Sequence, residues 1–329
     1  MKKLASALAV IFSISLVSNV SALPDRVGDF ALLDIEGEFH QLSRYRYQKA
    51  LVLMAYDSSC ASIDSALSQF EALQSAFAEQ QVSFLLINSS TQSDVDELRA
   101  QRATFGFDVS LLVDKGQLVS ETLSFSNAGE LAILDPERLT ILYRGGVEGK
   151  ASEVLNAELD GTVDSTTVQP VSGCELQYPA KQMHADAVPD YESDIAPIIA
   201  EQCASCHREG GIGPFALDSH LMLQGWSPMI REVLLTRRMP PTQVDPNIGH
   251  FSNARYIPEE DLQKLVHWID AGAPKGLAVS DPLAALEFPD RRDWQLGEPD
   301  YVITAPRHEI PATGVLDYIN VDVPLPFEE

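Results

Sequence analysis

A short segment with two cysteines and a histidine carries the most specific chemistry in this sequence. It reads Cys203-Ala204-Ser205-Cys206-His207. Two thiols separated by two residues can each bond one vinyl group of the same porphyrin, and the adjacent imidazole can then ligate the iron. The spacing therefore predicts one covalently attached c-type haem. Cys203 and Cys206 are its predicted attachment points, and His207 is a predicted axial iron ligand.

The second axial ligand has to come from elsewhere, and Met239 is the favoured candidate. It lies in the segment RRMPP (237–241), between a predicted helix and two prolines that make the loop rigid. A thioether opposite an imidazole raises the iron potential and suits electron transfer. Met222, Met229 and His250 are the rival ligands.

Two arginines precede this methionine, and two interpretations of them stay open. Arg237 and Arg238 could bind the haem propionates, because a guanidinium pairs with a carboxylate through two parallel hydrogen bonds. Alternatively, they mark an ordinary solvated helix end.

Other chemistries compete for the same cysteine pair. It could be half of a zinc site, but the other two cysteines, Cys60 and Cys174, lie far upstream and form no second pair. It could be a redox dithiol, but such a pair usually follows a strand, whereas a predicted helix precedes this one. Haem is favoured over both.

Cys60 is the candidate for thiol chemistry. It follows the apolar run 49–56 and precedes a helix predicted over 61–80. A helix N-terminus lowers the pKa of a thiol, because the thiolate meets unpaired N–H groups. Cys174, in VSGCELQ, is the other thiol outside the haem motif. It could resolve a sulfenate on Cys60, or it could form a permanent disulfide with Cys60.

The elements around Cys60 predict an α/β fold for residues 23–150. Helices are predicted at 61–80 and 93–103 from their apolar spacing. Strands are predicted from short apolar runs at 49–56, 82–88, 130–135 and 139–145. A βαβ unit, a helix and a β-hairpin in this order is the thioredoxin arrangement.

The second half of the sequence predicts a linker, a helical segment and a C-terminal extension. Residues 151–190 have the composition of a linker. Residues 191–280 are predicted to be mostly helical, with helices at 191–202 and 259–271. Residues 281–329 contain prolines and short β-like runs, which predict a β-rich extension.

Length and charge limit the class of protein. The chain has 329 residues and a formal net charge of −25, which suits two domains and excludes nucleic-acid binding. The acidic surface predicts a redox partner with a basic docking face.

The N-terminal segment predicts export. Residues 1–22 have a basic start, an apolar core and a small-residue end, so they read as a signal peptide cleaved after Ala22. The mature chain should have no transmembrane segment and should reside in a bacterial periplasm, where haem attachment and disulfides are both permitted.

Several stretches of the second half resemble the small cytochrome c domain of periplasmic multidomain proteins. They are YESDIAPIIAEQCASCH, GGIGPFAL, RRMPP, GHFSN, EEDLQKLVHWIDAGAPKG and WQLGEPD. In that family the methionine of the MPP motif is the axial ligand, which the resemblance transfers to Met239. In relatives, a redoxin domain often precedes this cytochrome and a copper-dependent, ascorbate-dependent type II monooxygenase region often follows it. EPDYVITAPRHEIPATGVLDYINVDVP resembles the opening of that region.

The first half resembles the redoxin and peroxiredoxin branch of the thioredoxin superfamily, through VGDFALLDIEGEFHQLS and LVLMAYDSSCAS. The resemblance makes Cys60 the nucleophile. Ile63 occupies the position of the second cysteine of a CxxC, and Gly129 that of the cis-proline. Asp57 replaces the peroxiredoxin threonine and puts a negative charge near the thiol, which disfavours a thiolate.

The sequence therefore predicts a periplasmic redox protein that transfers single electrons through a haem held by His207 and Met239. The alternative is a thiol peroxidase or thiol–disulfide oxidoreductase that uses Cys60. A further alternative is the electron-delivering front end of a copper monooxygenase. Electron transfer is favoured over turnover of a substrate.

Overall fold

The computed structural model describes residues 26–90, 94–163, 165–241, 243, 251–252, 255–288, 297–304, 306–310, 313–314 and 318–324. The predicted signal peptide and its cleavage site after Ala22 lie outside these residues. Within the described residues, no helix is both long and apolar enough to cross a bilayer.

The described part of the first half is organised around a sheet. The strands among the described residues are β1 (Ala31–Leu33), β2 (Phe39–Gln41), β3 (Ala50–Tyr56), β4 (Val82–Asn88), β5 (Ser110–Val113), β6 (Leu131–Asp135), β7 (Thr140–Gly145) and β8 (Thr167–Val168). In the described residues the main sheet has the order β5-β4-β3-β6-β7-β8. β3, β4 and β5 are parallel, β6 is antiparallel to β3 and to β7, and β8 is parallel to β7. β1 and β2 form a separate hairpin.

Helices connect and cover these strands. They are α1 (Ile63–Phe77), α2 (Val95–Phe105), α3 (Leu118–Thr122), α4 (Ala151–Leu159), α5 (Pro179–Asp186), α6 (Ala196–Gln202), α7 (His220–Leu235) and α8 (Glu259–Asp270), with one π-helical turn at Tyr191–Ile195. The order β3-α1-β4-α2-β5 followed by the β6–β7 hairpin is the predicted thioredoxin-like α/β fold, which is confirmed.

The apolar patterns explain the central elements. All seven residues of β3 are buried, as expected for a strand covered on both faces. α1 buries an apolar stripe of Ile63, Leu67, Phe70, Leu73 and Phe77, whose spacing of three and four residues places them on one side of a helix.

The predicted linker at 151–190 is largely structured instead. α4 buries Ala151, Val154 and Leu155, and it contacts β7 and β3. β8 extends the sheet beside β7, and α5 packs against α8. These elements are short and each buries few apolar side chains, so the sequence shows no clear apolar pattern here. The turn-forming residues between them therefore suggested a linker.

The described part of 191–280 is helical, as predicted. Its core contains three packed rings. His220 meets the Tyr191 ring edge-on, with 4.9 Å between their centroids, and Tyr191 stacks on Trp268 at 6.2 Å. The Trp268 indole N–H donates to the Pro274 carbonyl at 2.9 Å. A buried indole is therefore both packed and hydrogen-bonded.

The β-rich extension predicted for 281–329 is wrong for the residues that the structure describes there. They contain a 3-10 turn at Leu283–Ala285 and no strand. Side chains that suggested strands, including Val302, Ile303 and Ile319, are exposed. A strand needs a neighbour for its backbone hydrogen bonds, and no described strand lies beside these segments.

Candidate functional site

Cys60 lies in the turn that joins β3 to α1. The Cys60 N–H donates to the Asp57 carbonyl at 3.2 Å, and the Ile63 N–H donates to the Cys60 carbonyl at 3.0 Å. The Asp57 carboxylate accepts from the Ser59 N–H at 2.9 Å and from the Ser59 hydroxyl at 2.8 Å. These bonds fix Cys60 just before α1, where its side chain is buried at 2% exposure.

Cys60 forms a disulfide with Cys174, with 5.6 Å between the Cα atoms and 114 residues between the two cysteines. The sequence left two roles open for Cys174, a resolving cysteine or one half of a permanent disulfide. Both roles require a bond to Cys60, and the folded chain brings the two cysteines close enough to form it. Cys174 is exposed, whereas Cys60 is not.

Backbone contacts hold the Cys174 segment against the loop before β6. The Ala128 N–H donates to the Cys174 carbonyl at 2.9 Å, and the Asn127 amide donates to the Gly173 carbonyl at 3.1 Å. A Cβ at Gly173 would lie 2.3 Å from the Ala128 carbonyl oxygen, so only glycine permits this approach.

Two donors face the Cys60 sulfur. The Ser62 Oγ lies 3.2 Å from it, and the Cys174 N–H donates to it at 3.3 Å. A disulfide sulfur carries no proton, so the Ser62 hydroxyl is the donor in this contact. The sequence analysis missed Ser62, although its position two residues after the thiol could have signalled it.

Two of the departures from the superfamily pattern, Ile63 and Gly129, have local consequences. Ile63, at the position of a second CxxC cysteine, is buried in the core. Gly129, at the position of the cis-proline, donates its N–H to the Ala55 carbonyl at 2.8 Å. Proline has no N–H and would lose that bond. The disulfide partner of Cys60 therefore comes from a distant segment and not from its own helix.

The second cysteine pair lies in the turn after α6. Cys203 and Cys206 are not joined to each other, and the His207 N–H donates to the Cys203 carbonyl at 3.0 Å. Burial, followed by the neighbouring Cys206, raises the pKa of the Cys203 thiol to about 12. Both thiols and the imidazole thus belong to a single turn.

The surroundings of His207 fit a haem ligand. Its Nδ1 lies 3.1 Å from the Phe215 carbonyl oxygen, a contact that requires a proton on Nδ1 and leaves the Nε2 lone pair for a metal. The Phe215 ring lies 4.8 Å from the imidazole and stacks on Trp226 at 4.3 Å, measured between centroids. Gly211 folds so closely over the motif that a Cβ would lie 2.2 Å from the Cys206 carbonyl oxygen. Two unbonded thiols and an oriented imidazole match the donor set of a c-type haem.

Met239, the predicted second ligand, follows α7 and is 37% exposed. Of its rivals, Met222 and Met229 lie within α7, and His250 is outside the described residues.

The predicted propionate ligands face carboxylates of the chain. Arg237 lies 4.0 Å from Glu259, and Arg238 lies 2.5 Å from Glu232. The ordinary alternative for these arginines, a helix end with solvated charges, agrees with these ion pairs.

A third cluster joins the two halves of the described chain. His184 of α5 and His267 of α8 lie 2.7 Å apart through their Nδ1 atoms, and His267 Nε2 lies 3.0 Å from the Glu121 carboxylate of α3. Lys181 lies 3.9 Å from the same carboxylate. The four side chains line a cleft of about 320 Å³. Sequence reasoning missed this cluster, because its members come from three separate segments with no shared spacing.

A group of Asp34, Glu38 and His40 has ligand atoms within 4.8 Å of one another. Its hydrogen bonds account for it. The Asp34 carboxylate accepts from the N–H groups of Glu36 and Glu38 at 2.9 and 2.8 Å, and His40 Nδ1 lies 2.6 Å from the Tyr45 hydroxyl. This group stabilises the β1–β2 hairpin.

Comparisons with known proteins find similarity to the first half of the chain. Residues 23–142 match the AhpC/TSA family. An uncharacterised conserved protein from Geobacillus kaustophilus gives a TM-score of 0.44 at 20% identity, over 48% of this chain and 93% of that chain. A hypothetical protein from Sinorhizobium meliloti 1021 gives 0.40 at 22% identity, over 49% and 96%. Peroxidoxin BcpB from Mycobacterium tuberculosis gives 0.35 at 22% identity, over 43% and 97%. No curated protein matches the chain.

Proposed function

We propose that the AhpC/TSA-type redoxin domain of this chain is a thiol–disulfide oxidoreductase whose redox-active pair is Cys60 and Cys174. The observation that carries the proposal is the bond itself. It joins the cysteine at the start of α1 to an exposed cysteine from a distant segment. A helix N-terminus favours a thiolate at Cys60, and exposure makes the pair accessible to another thiol.

The reaction is a two-electron exchange. A dithiol partner gives up two electrons and two protons and closes its own disulfide. Cys60 and Cys174 each take up one electron and one proton and become thiols.

Peroxide reduction is the alternative at the same pair. There, the Cys60 thiolate would attack one oxygen of the peroxide and break the O–O bond. This step forms a sulfenic acid on Cys60, and the other oxygen leaves as water or an alcohol after taking up a proton. The Cys174 thiol would then condense with the sulfenic acid, which forms the disulfide and releases water. Asp57 stands where peroxiredoxins carry threonine, and its charge opposes a thiolate. Peroxide reduction starts from a Cys60 thiolate, whereas thiol exchange starts from a thiolate of the partner, so thiol exchange is the preferred activity.

Equilibration in dithiothreitol redox buffers, followed by alkylation and mass analysis, tests the proposal. The Cys60–Cys174 bond should open and close reversibly in the folded protein as one two-electron couple, and Cys60→Ser should abolish the transition. Hydrogen peroxide added to the reduced protein tests the alternative. A bond that resists dithiothreitol until the protein unfolds would identify a purely structural disulfide and overturn the proposal.

A second candidate function is one-electron transfer in the helical half, favoured by the contact between His207 Nδ1 and the Phe215 carbonyl. In this function Cys203 and Cys206 form thioether bonds to a c-type haem. The Phe215 carbonyl would hold the imidazole in the tautomer that presents Nε2, and Met239 would be the second residue to bind the iron. When bound, the haem iron supplies a one-electron couple. Residues 191–280 would then form a cytochrome c domain.

Expression in a bacterial host that matures c-type haem tests this second function. Haem that stays with the denatured chain on a gel, together with a low-spin six-coordinate spectrum, is expected. Recovery of the processed chain from the periplasm would test the predicted signal peptide in the same experiment. A colourless protein from such a host would eliminate the haem function.

The net charge of −25 supports a partner with a basic docking face. Electrostatic steering accelerates association at low salt and is screened as ionic strength rises. Reaction rates with the partner should therefore fall with added salt, and rates that do not change would exclude steering.

A further inference from the structure

The two sulfur atoms of the redoxin disulfide differ in access and in hydrogen bonding. Cys60 is 2% exposed and Cys174 is exposed. Thiol–disulfide exchange needs an attacking thiolate to approach one sulfur along the S–S axis, so access decides which sulfur is attacked. A thiol from outside the protein can approach Cys174, and the protein covers Cys60.

The hydrogen bonds to the disulfide also favour attack on Cys174. The Ser62 hydroxyl and the Cys174 N–H both donate to the Cys60 sulfur, at 3.2 and 3.3 Å. A donor stabilises a sulfur more strongly when the sulfur is negative, so these contacts favour departure of Cys60 as a thiolate.

Ser62 is also unusual as a helix cap. It occupies the N-cap position of α1, where a serine normally accepts a hydrogen bond from a backbone N–H of the first turn. Its side chain makes no such bond and contacts the Cys60 sulfur instead. Two carboxylates of the same segment, Asp57 and Asp64, oppose a thiolate there, which leaves this hydroxyl as a compensating donor.

We propose that an external thiolate attacks Cys174, that Cys60 departs as the leaving thiolate, and that Ser62 is a positioning residue that stabilises this thiolate. This inference rests on the proposed exchange function. The bond between the attacking sulfur and Cys174 forms as the Cys174–Cys60 bond breaks, and the electron pair of the broken bond goes to Cys60. The second thiol of a dithiol partner then attacks its own mixed disulfide, and Cys174 leaves as a thiolate that takes up a proton.

Glutathione, a monothiol, is a direct probe of the attacked sulfur, because it leaves the mixed disulfide in place. The oxidised full-length protein is treated with glutathione, quenched with an alkylating agent and mapped by peptide mass. Glutathione on Cys174 and the alkylating agent on Cys60 should predominate by about tenfold over the reverse pattern, the difference expected when one sulfur is accessible and the other covered. Glutathione mainly on Cys60 would overturn the inference while leaving the exchange function intact. A disulfide that glutathione and dithiothreitol both fail to open would overturn the exchange function itself.

Ser62→Ala tests the positioning role, with Ser62→Thr as rescue. Ser75→Ala, at an exposed position of the same helix, is the matched control. Because Ser62 makes no cap bond, Ser62→Ala should fold normally. Its Cys60 thiol should titrate about one pKa unit higher, and opening by glutathione should slow several-fold. Ser62→Thr should restore both values, and Ser75→Ala should change neither. Equal thiol pKa values and opening rates in Ser62→Ala and the wild type would remove Ser62 from the mechanism.

Discussion

The two cysteine pairs of this chain are built in opposite ways. Cys60 and Cys174 are separated by 114 residues and meet only when the segment before Cys174 docks on the loop before β6. Cys203 and Cys206 belong to one turn after α6, and a single nearby carbonyl orients the adjacent His207. The first centre is a product of tertiary folding, whereas the second is encoded in a continuous segment.

This contrast extends to the chemistry. A disulfide exchanges two electrons and depends on a precise approach of two separate segments. A covalently attached haem exchanges single electrons, and its covalent attachment depends on the one turn that carries both cysteines. A substitution at one centre should therefore leave the other centre intact.

The largest expected effect is loss of the proposed haem. Replacing both Cys203 and Cys206 by serine removes the two nucleophiles that form the thioether bonds, so covalent haem should disappear completely from the denatured chain. A haem-stained denaturing gel measures this.

Cys60→Ser is the matched control for that experiment, because it removes a cysteine of the other centre. It should keep full haem incorporation. Haem retained in the Cys203 and Cys206 double variant, or lost in Cys60→Ser, would show that the two centres are not built independently.

The second effect is on the stability of the redoxin domain. Cys174→Ser opens a loop of 114 residues, and the chain-entropy relation predicts a loss of about 4–5 kcal/mol in the free energy of unfolding. Urea denaturation under non-reducing conditions measures it.

Serine at both Cys203 and Cys206 is the control, compared in the haem-free protein, where these thiols are not bonded to each other. It should leave the unfolding midpoint of the redoxin domain nearly unchanged. An equal loss in the two proteins would contradict the claim that only one pair closes a loop.

The same contrast explains how much could be predicted from the sequence. The haem motif and the apolar runs of β3 and α1 are local patterns, and the α/β fold of the first half follows from them. The pairing of Cys60 with Cys174 stayed open, because no local signal relates positions so far apart.

The two wrong predictions, a linker at 151–190 and a β-rich extension after 280, have related causes. α4 and β8 fall in residues taken for a linker, because each gains its stability from the sheet beneath it and not from a long apolar pattern. In the described part of the C-terminal extension, strands were predicted where none form. The apolar residues there have a β-like composition, but no described strand lies beside them to pair with. Composition thus predicts a strand or a helix only where the tertiary partner is present.

The third experiment weakens the docking of the Cys174 segment without removing a cysteine. In Gly173→Ala the new methyl group would lie 2.3 Å from the Ala128 carbonyl oxygen, so the segment has to shift away. Overpacking of this kind costs about 1–3 kcal/mol. The Cys60–Cys174 disulfide should be correspondingly easier to reduce in a glutathione buffer.

Gly28→Ala is the control, since a Cβ at Gly28 meets nothing within 4 Å. It should leave the reduction equilibrium unchanged. An unaltered equilibrium in Gly173→Ala would mean that docking of this segment does not control the disulfide.

The smallest effect concerns the contact where the two halves meet. Burial, followed by the neighbouring His267 and Lys264, lowers the pKa of His184, against the opposing charges of Asp194 and Glu121. The unfolded chain therefore takes up this proton more readily than the folded protein does. The stability that depends on a neutral His184 is complete above about pH 6.5 and declines as the pH falls below that value.

His184→Gln keeps a polar side chain at this site and removes the titration. The stability of the wild type relative to this variant should therefore decrease from neutral to mildly acidic pH, as measured by urea denaturation at each pH. His308→Gln is the control, because His308 is exposed, and its stability should equal that of the wild type at every pH.

The imidazoles of His184 and His267 lie 2.7 Å apart through their Nδ1 atoms, and both atoms cannot carry a proton in this contact, so acid should separate α5 from α8. A difference between the wild type and His184→Gln that does not change with pH would show that the contact between the two halves of the chain is insensitive to this proton.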